Sequence, residues 1–344
     1  MPQEGIPSSG LVWLWGRMAS CARVGNPRSL RRLPIGAQVG NLPHNLFVVM
    51  LACGWAVGGL QAQIKVDGAV IDVTFAPGKI DLPQERILAW ITTAAEAVTE
   101  YFGRFPLPHP RILVHPAEGR SGIFHGTTYG SDGGFTRISV GQHTSQKELD
   151  TDWMMTHELT HMAFPDIAGD GREHHWIEEG MATYIEPIAR CQIGNLTAEQ
   201  VWGEMSKYMA QGLPQAGDQG LDNTHTWGRT YWGGALYWLM ADIQIRQRTR
   251  NQKGLQDAMR AIVAAGGTIV HEWPIEKVLK VGDRSTGTTV LADLYNRMKA
   301  TPVETDLDDL WRKLGVQVKN GVVTFNDNAP LAEIRKAITA PRKP

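Results

Sequence analysis

Met154-Met-Thr-His-Glu-Leu-Thr-His161 places two histidines four residues apart, and Trp176-Ile-Glu-Glu-Gly-Met-Ala-Thr-Tyr-Ile-Glu186 begins fifteen residues after the second of them. The first stretch has helical character, with Asp150 or Asp152 as cap and Pro165 as stop. Residues four apart share a helix face, so His157 and His161 can present their imidazoles to one ion while Glu158, on the adjoining flank, reaches a water beside it. A catalytic zinc site needs a third protein ligand and an open position. Glu179 lies 18 residues beyond His161, and an irregular turn over 165–173 brings a following helix back antiparallel with that carboxylate toward the histidines. Gly180 and Ala182 leave room for a close helix approach. Thr183 and Glu186 follow Glu179 on about the same face, placed to hold the second ring nitrogen of His157 or His161 as the outer contact that metal-bound histidines usually have.

Outward from this pair, the chain downstream of Asp150 reads as helix over about 150–164, 175–190, 197–211, 228–248, 253–265, 290–299 and 306–313. A hairpin at Asn320-Gly321 and a last helix entered through Asn328-Ala-Pro close it. Upstream, Ile64-Lys-Val and Ala69-Val-Ile-Asp-Val-Thr-Phe read as strands. Asp81 is read as the cap of a helix with apolar Ile87, Leu88, Ile91, Ala95, Val98 and Phe102 at helical spacing, followed by a strand at Ile112-Leu-Val and two more within 122–140. The expected class is α+β: a β-rich unit over 63–148, then a helical unit over 149–344.

The apolar run Leu46 to Leu60 holds no charged side chain and is short for a membrane span, but suits the apolar region of a signal peptide. Residues 1–62 are therefore read as a leader, with cleavage after Ala62 and a translation start downstream of Met1, at Met18; an uncleaved membrane anchor is the alternative. The expected location is periplasmic or secreted, with no stable membrane span after cleavage. With the leader gone, 29 basic face 34 acidic residues, a net charge of −5 against −1 for the whole chain. That balance has no basic block, which excludes an electrostatic footprint for nucleic acid. Cys21 and Cys53 leave with the leader, so Cys191 stands alone as a buried apolar residue without a disulfide.

The pair HELTH and WIEEGMATYIE resembles the gluzincin metallopeptidases, in particular the aminopeptidase-N-like and glycyl-aminopeptidase-like families. In these an HExxH helix is followed by a W-x-x-E-G segment whose Glu completes the zinc site. The resemblance covers roughly residues 85–250 and implies a thermolysin-like catalytic domain, one Zn2+ on His157, His161 and Glu179 (rather than Glu178), and Glu158 as general base. Thr230-Tyr-Trp-Gly-Gly-Ala235 is similar to the families' Y-x-x-G-A segment, which gives Tyr231 the role of stabilising the tetrahedral intermediate. The implied activity is zinc-dependent hydrolysis of a peptide or protein substrate.

Aminopeptidases of this type carry G-x-M-E-N on the edge strand, whose Glu binds the substrate's α-amine. The corresponding region is read here as Gly133-Gly-Phe-Thr-Arg-Ile-Ser, with no acid at that place, and the large N-terminal β-sandwich is missing, so endo- and exo-action stay open. Asp132 is read as a turn residue. Either 122–129 or 135–140 could pair with an extended peptide, which makes Gly122 and His125 candidate substrate contacts, with His225 and Arg229 just before Tyr231. His174 and His175 are read as a solvated loop, and Trp227, Trp232 and Trp238 as core. Two other readings remain open at this level: a zinc hydrolase of a non-peptide bond, and a zinc-holding scaffold without catalysis.

Overall fold

The computed structural model describes residues 61–169 and 173–341. Strands β1 (Gln61–Val66) and β2 (Ala69–Phe75) form a hairpin through Asp67-Gly68, both at positive φ, the turn geometry that matches strand twist. The apolar run at 46–60, read above as part of a leader, lies outside the described residues. Gln61 and Ala62 already pair with Thr74 and Val73, so the boundary drawn after Ala62 falls inside a strand.

Helix α1 (Gln84–Phe102) buries Ile87, Ile91, Ala95, Val98 and Phe102 and ends at Gly103, in the left-handed region. Its N-cap is Pro83, without a side-chain cap; Asp81, expected there, instead accepts from His143 Nδ1 at 2.7 Å and pairs with Lys79 at 3.0 Å. The sheet is completed by β3 (Arg111–Ala117), β4 (Ile123–Tyr129) and β5 (Phe135–Gly141), in the order β1-β2-β3-β5-β4. Strands β2, β3 and β5 run parallel, while β4 returns antiparallel to β5 and, among the described residues, is an edge strand. The expectation that 135–140 could accept a peptide strand is therefore corrected, since both edges of β5 are paired.

The rest is helical: α2 (Gln146–Asp150), α3 (Met154–His161), α4 (His175–Gln192), α5 (Ala198–Tyr208), α6 (Gly234–Arg248), α7 (Leu255–Ala264), α8 (Ile275–Thr286), α9 (Val290–Met298), α10 (Leu307–Leu314) and α11 (Ala332–Thr339). The two-residue strands β6 (Asp166–Ile167) and β7 (Glu272–Trp273) pair in parallel, and β8 (Val316–Lys319) and β9 (Val322–Phe325) form the expected hairpin across Asn320-Gly321. The helix expected over 150–164 is broken at 151–153. Helix α8 was not anticipated, because its run of Lys, Gly, Asp and Ser hides the apolar stripe Ile275, Val278 and Leu279 that it buries. Sheet and helices share one continuous apolar core, with α1 packed on both α3 and α4. The architecture is a mixed sheet followed by a helical region, as expected. Among the described residues no helix is long and apolar enough to cross a membrane.

Candidate metal centre

Helix α3 starts where Asp152 Oδ2 accepts the Met155 N–H (3.0 Å) and the indole N–H of Trp90 on α1 (3.1 Å). That anchor fixes the helix so that Met155 through His161 are all buried. Helix α4 is buried from Trp176 to Gln192 and held by its tryptophan: Trp176 Nε1 donates to Asp222 Oδ1 at 2.7 Å. Helix α6 crosses it, and Trp238 Nε1 donates to the Ile177 carbonyl at 2.9 Å.

These contacts bring three donor atoms together. His157 Nε2 is 3.2 Å from Glu179 Oε2, His161 Nε2 is 3.3 Å from His157 Nε2, and His161 Nε2 is 3.5 Å from Glu179 Oε2. Burial pushes the Glu179 carboxyl up, but the neighbouring His161 and His157 outweigh it and hold it well below the usual carboxylate range. Zinc bonds of about 2.0–2.1 Å in a tetrahedron leave ligand atoms about 3.3 Å apart. The donor set thus fits zinc in both chemistry and spacing.

Glu158 is buried beside this set and is held from the sheet. The Thr128 hydroxyl on β4 donates to Glu158 Oε2 at 2.8 Å, and the Thr136 hydroxyl on β5 lies 2.9 Å from that of Thr128. Strand β4 bulges between Phe124 and Thr127, with His125 at φ 55°. The bulge lays Gly126 against the glutamate so closely that a Cβ there would sit 2.7 Å from Glu158 Oε1. Gly122 precedes the strand, its N–H donating to Thr144 Oγ1, and His125 is exposed on it. The edge strand next to the HExxH helix is therefore β4, not the strand that follows Gly133, and its stretch Gly122-Ile-Phe-His-Gly126 holds no acid.

Tyr231 lies in a π-helical turn, Arg229–Gly233, that leads into α6, a local widening frequent at functional sites. Its ring stacks over that of His157 (centroids 6.4 Å, 28°) and Trp227 stacks on it at 5.7 Å. Two expectations change here, on Arg229 and on the His174-His175 pair. Arg229 is buried, with Nε 2.7 Å from Asp218 Oδ2, and does not face the site. His225 sits exposed in the preceding loop, outside the donor cluster. His174 and His175 are half-buried and face acids: His174 Nδ1 lies 3.6 Å from Asp222 Oδ1, and His175 Nε2 lies 3.7 Å from Glu179 Oε1.

The two residues expected behind the histidines also differ. Glu186 accepts from Arg190 Nη1 at 2.8 Å. Thr183 Oγ1 is buried without a hydrogen-bond partner among the described residues. Neither hydroxyl nor carboxylate holds a histidine. Thr128, Gly126 and Trp153, whose ring meets that of His157 edge-on at 5.4 Å, were not picked out from sequence; Gly126 in a strand pattern was the one available signal. Cys191 is free and buried as expected, and Asp132 is a turn residue paired with Arg111.

No protein-family profile matches the chain, and no curated protein matches it. Among solved structures it is similar to an aminopeptidase N family protein from Idiomarina loihiensis, at 15% identity over 79% of this chain and 53% of that one, TM-score 0.58. An M1 zinc metallopeptidase from Deinococcus radiodurans also matches, at 14% identity over 72% of this chain and 52% of that one, TM-score 0.46. The chain spans about half the length of these proteins. What the first likeness shows is a shared fold: a mixed sheet with a helical region, as in the aminopeptidase N family protein.

Proposed function

We propose that this chain is an exported zinc-dependent peptidase of the gluzincin, thermolysin-like type, with Glu158 as its general base. One observation carries the reading: the donor atoms of His157, His161 and Glu179 stand 3.2–3.5 Å apart, a set of three among the described residues, which is the number of protein ligands that hydrolytic zinc sites use. When bound, zinc supplies Lewis acidity, polarising a substrate carbonyl and making a water nucleophilic near neutral pH. Glu158, aimed by Thr128, takes the proton of that water as it attacks and delivers it to the leaving amide nitrogen. Tyr231, stacked over His157, offers its hydroxyl to the oxygen on which charge develops. Strand β4, the edge strand of the sheet among the described residues, would meet an extended peptide, with Gly122 and His125 as its contacts. Export rests on the apolar run at 46–60 ahead of β1.

The test is Glu158→Gln. Zinc content should remain about one per chain while peptide hydrolysis falls about 10²–10⁴-fold. A variant that hydrolyses peptides at the parent rate would overturn the mechanism.

A further inference from the structure

A second cluster of donor atoms lies at the start of α4, outside the set of His157, His161 and Glu179. One carboxylate oxygen of Glu173, one ring nitrogen of His174 and one carboxylate oxygen of Asp222 fall within 4.8 Å of one another. They come from two segments: Glu173 and His174 from the connection that leads into α4, and Asp222 from the loop ahead of the π-helical turn. Backbone hydrogen bonds fix that loop, since the Leu221 and Asp222 N–H groups donate to the Met298 and Lys299 carbonyls at the end of α9.

Asp222 is buried and both of its oxygens are oriented: Trp176 Nε1 donates to Oδ1 at 2.7 Å, and the Tyr295 hydroxyl donates to Oδ2 at 3.4 Å. Metal-bound carboxylates usually carry such outer donors. His174 Nδ1 stands 3.6 Å from Asp222 Oδ1, buried and without a hydrogen-bond partner among the described residues. An imidazole nitrogen left in that state costs free energy, which a cation shared with Asp222 removes. Burial pulls the His174 imidazole down, but Asp222, Glu173 and Glu276 outweigh it and raise it above its ordinary value. The same three acids act on the Tyr295 hydroxyl. A divalent cation offsets their charge more fully than one proton on His174 does.

We infer that Glu173, His174 and Asp222 form a second cation site, which takes one divalent first-row metal ion and ties the connection between the two ligand helices to the end of α9. The imidazole donor selects a transition metal over calcium or magnesium, which prefer oxygen alone. Glu173 is exposed and His174 must give up its proton, so the ion is held loosely and enters only at free metal concentrations far above those that saturate the first centre. The inference stands apart from the peptidase reading, because bound metal is its readout.

The probe is Mn2+, counted by the electron paramagnetic resonance of the free ion. The full chain is loaded with zinc, dialysed and titrated. About one Mn2+ per chain should bind, more tightly at about pH 8 than at about pH 6, and calcium at the same concentration should not displace it. His174→Ala should abolish this binding. Glu173→Gln, a change at the surface, should weaken it by about tenfold or more. His161→Ala removes the first centre and should keep it. No Mn2+ bound, binding that survives His174→Ala, or binding that calcium displaces at equal concentration overturns the inference, the last two as an adventitious acidic patch. If the first centre takes no zinc and no peptide is cleaved, the peptidase reading fails alone, and the Mn2+ count in His161→Ala still decides the second site.

Discussion

Gly180 on α4 and Gly234 on α6 face each other with no room for a side chain between them: a Cβ on Gly180 would lie 2.3 Å from the Gly234 Cα. Glu179 immediately precedes one glycine and Tyr231 sits three residues before the other, so this crossing sets how far the third ligand stands from the tyrosine.

Gly180→Ala should push the helices apart. Overpacking of this kind costs about 1–3 kcal/mol, and the shift moves Glu179 and Tyr231 relative to the histidines. Zinc affinity by chelator competition should weaken, and kcat/KM should fall about tenfold or more. A variant with parent zinc affinity and parent turnover would show that the crossing does not position the site.

The glutamate expected to act as base depends on the sheet. Thr128→Val removes the hydroxyl that aims Glu158 Oε2 and leaves the shape nearly unchanged. A loss of about 10–100-fold in kcat is expected, with zinc content and KM close to those of the parent. Gly126→Ala drives a methyl group into Glu158 and should have the larger effect. Equal turnover in both variants would mean that Glu158 finds its position without β4.

Why the meeting of His157, His161 and Glu179 is legible in the sequence and the contacts around them are not follows from where each signal resides. His157, His161, Glu179 and Gly180 lie on two helices joined by a short connection, so sequence spacing translates almost directly into position. Thr128 reaches Glu158 from a strand 30 residues upstream. Nothing local announces that contact, because β5 inserts between β3 and β4 and makes β4 the edge. Arg229 failed for another reason. It stands just before Tyr231 in the chain, but its guanidinium is buried against Asp218 at the start of the π-helical turn. Glu186 has helical spacing to Glu179, but a nearer cation, Arg190 one turn on, takes its carboxylate.

Stability should depend on pH through Asp152. Burial raises its carboxyl from 3.8 to about 6, against the donors Met155 N–H, Met154 N–H and Trp90 and the charge of Arg190. An acid whose value is higher in the fold than in the unfolded chain holds its proton more tightly when folded. Its contribution is therefore most favourable below about pH 4 and is lost as pH rises from about 4 to 6. Asp152→Asn keeps an acceptor for Met155 and removes the titration. The variant should match the parent near pH 4 and exceed it at pH 8 by at most about 3 kcal/mol, a rise of several degrees in thermal midpoint. A constant difference between parent and variant across that range would refute the assignment.

Removal of the metal should be felt by the fold as well as by the reaction. His157 and Glu179 are almost fully buried, with each other and His161 as neighbours. Binding restricted to the folded state adds stability as RT ln(1 + [zinc]/Kd), about 4 kcal/mol at a thousandfold excess over Kd. The protein stripped with a chelator should therefore melt lower by several degrees and recover with added zinc. His161→Ala and Glu179→Ala should melt at one temperature with or without zinc, since each leaves two donors. His175→Ala offers the contrast. Its imidazole lies near Glu179 Oε1, on the oxygen that faces away from the histidine pair, so its zinc-dependent rise should persist. A parent protein whose thermal midpoint ignores both chelator and zinc would remove the metal from this site.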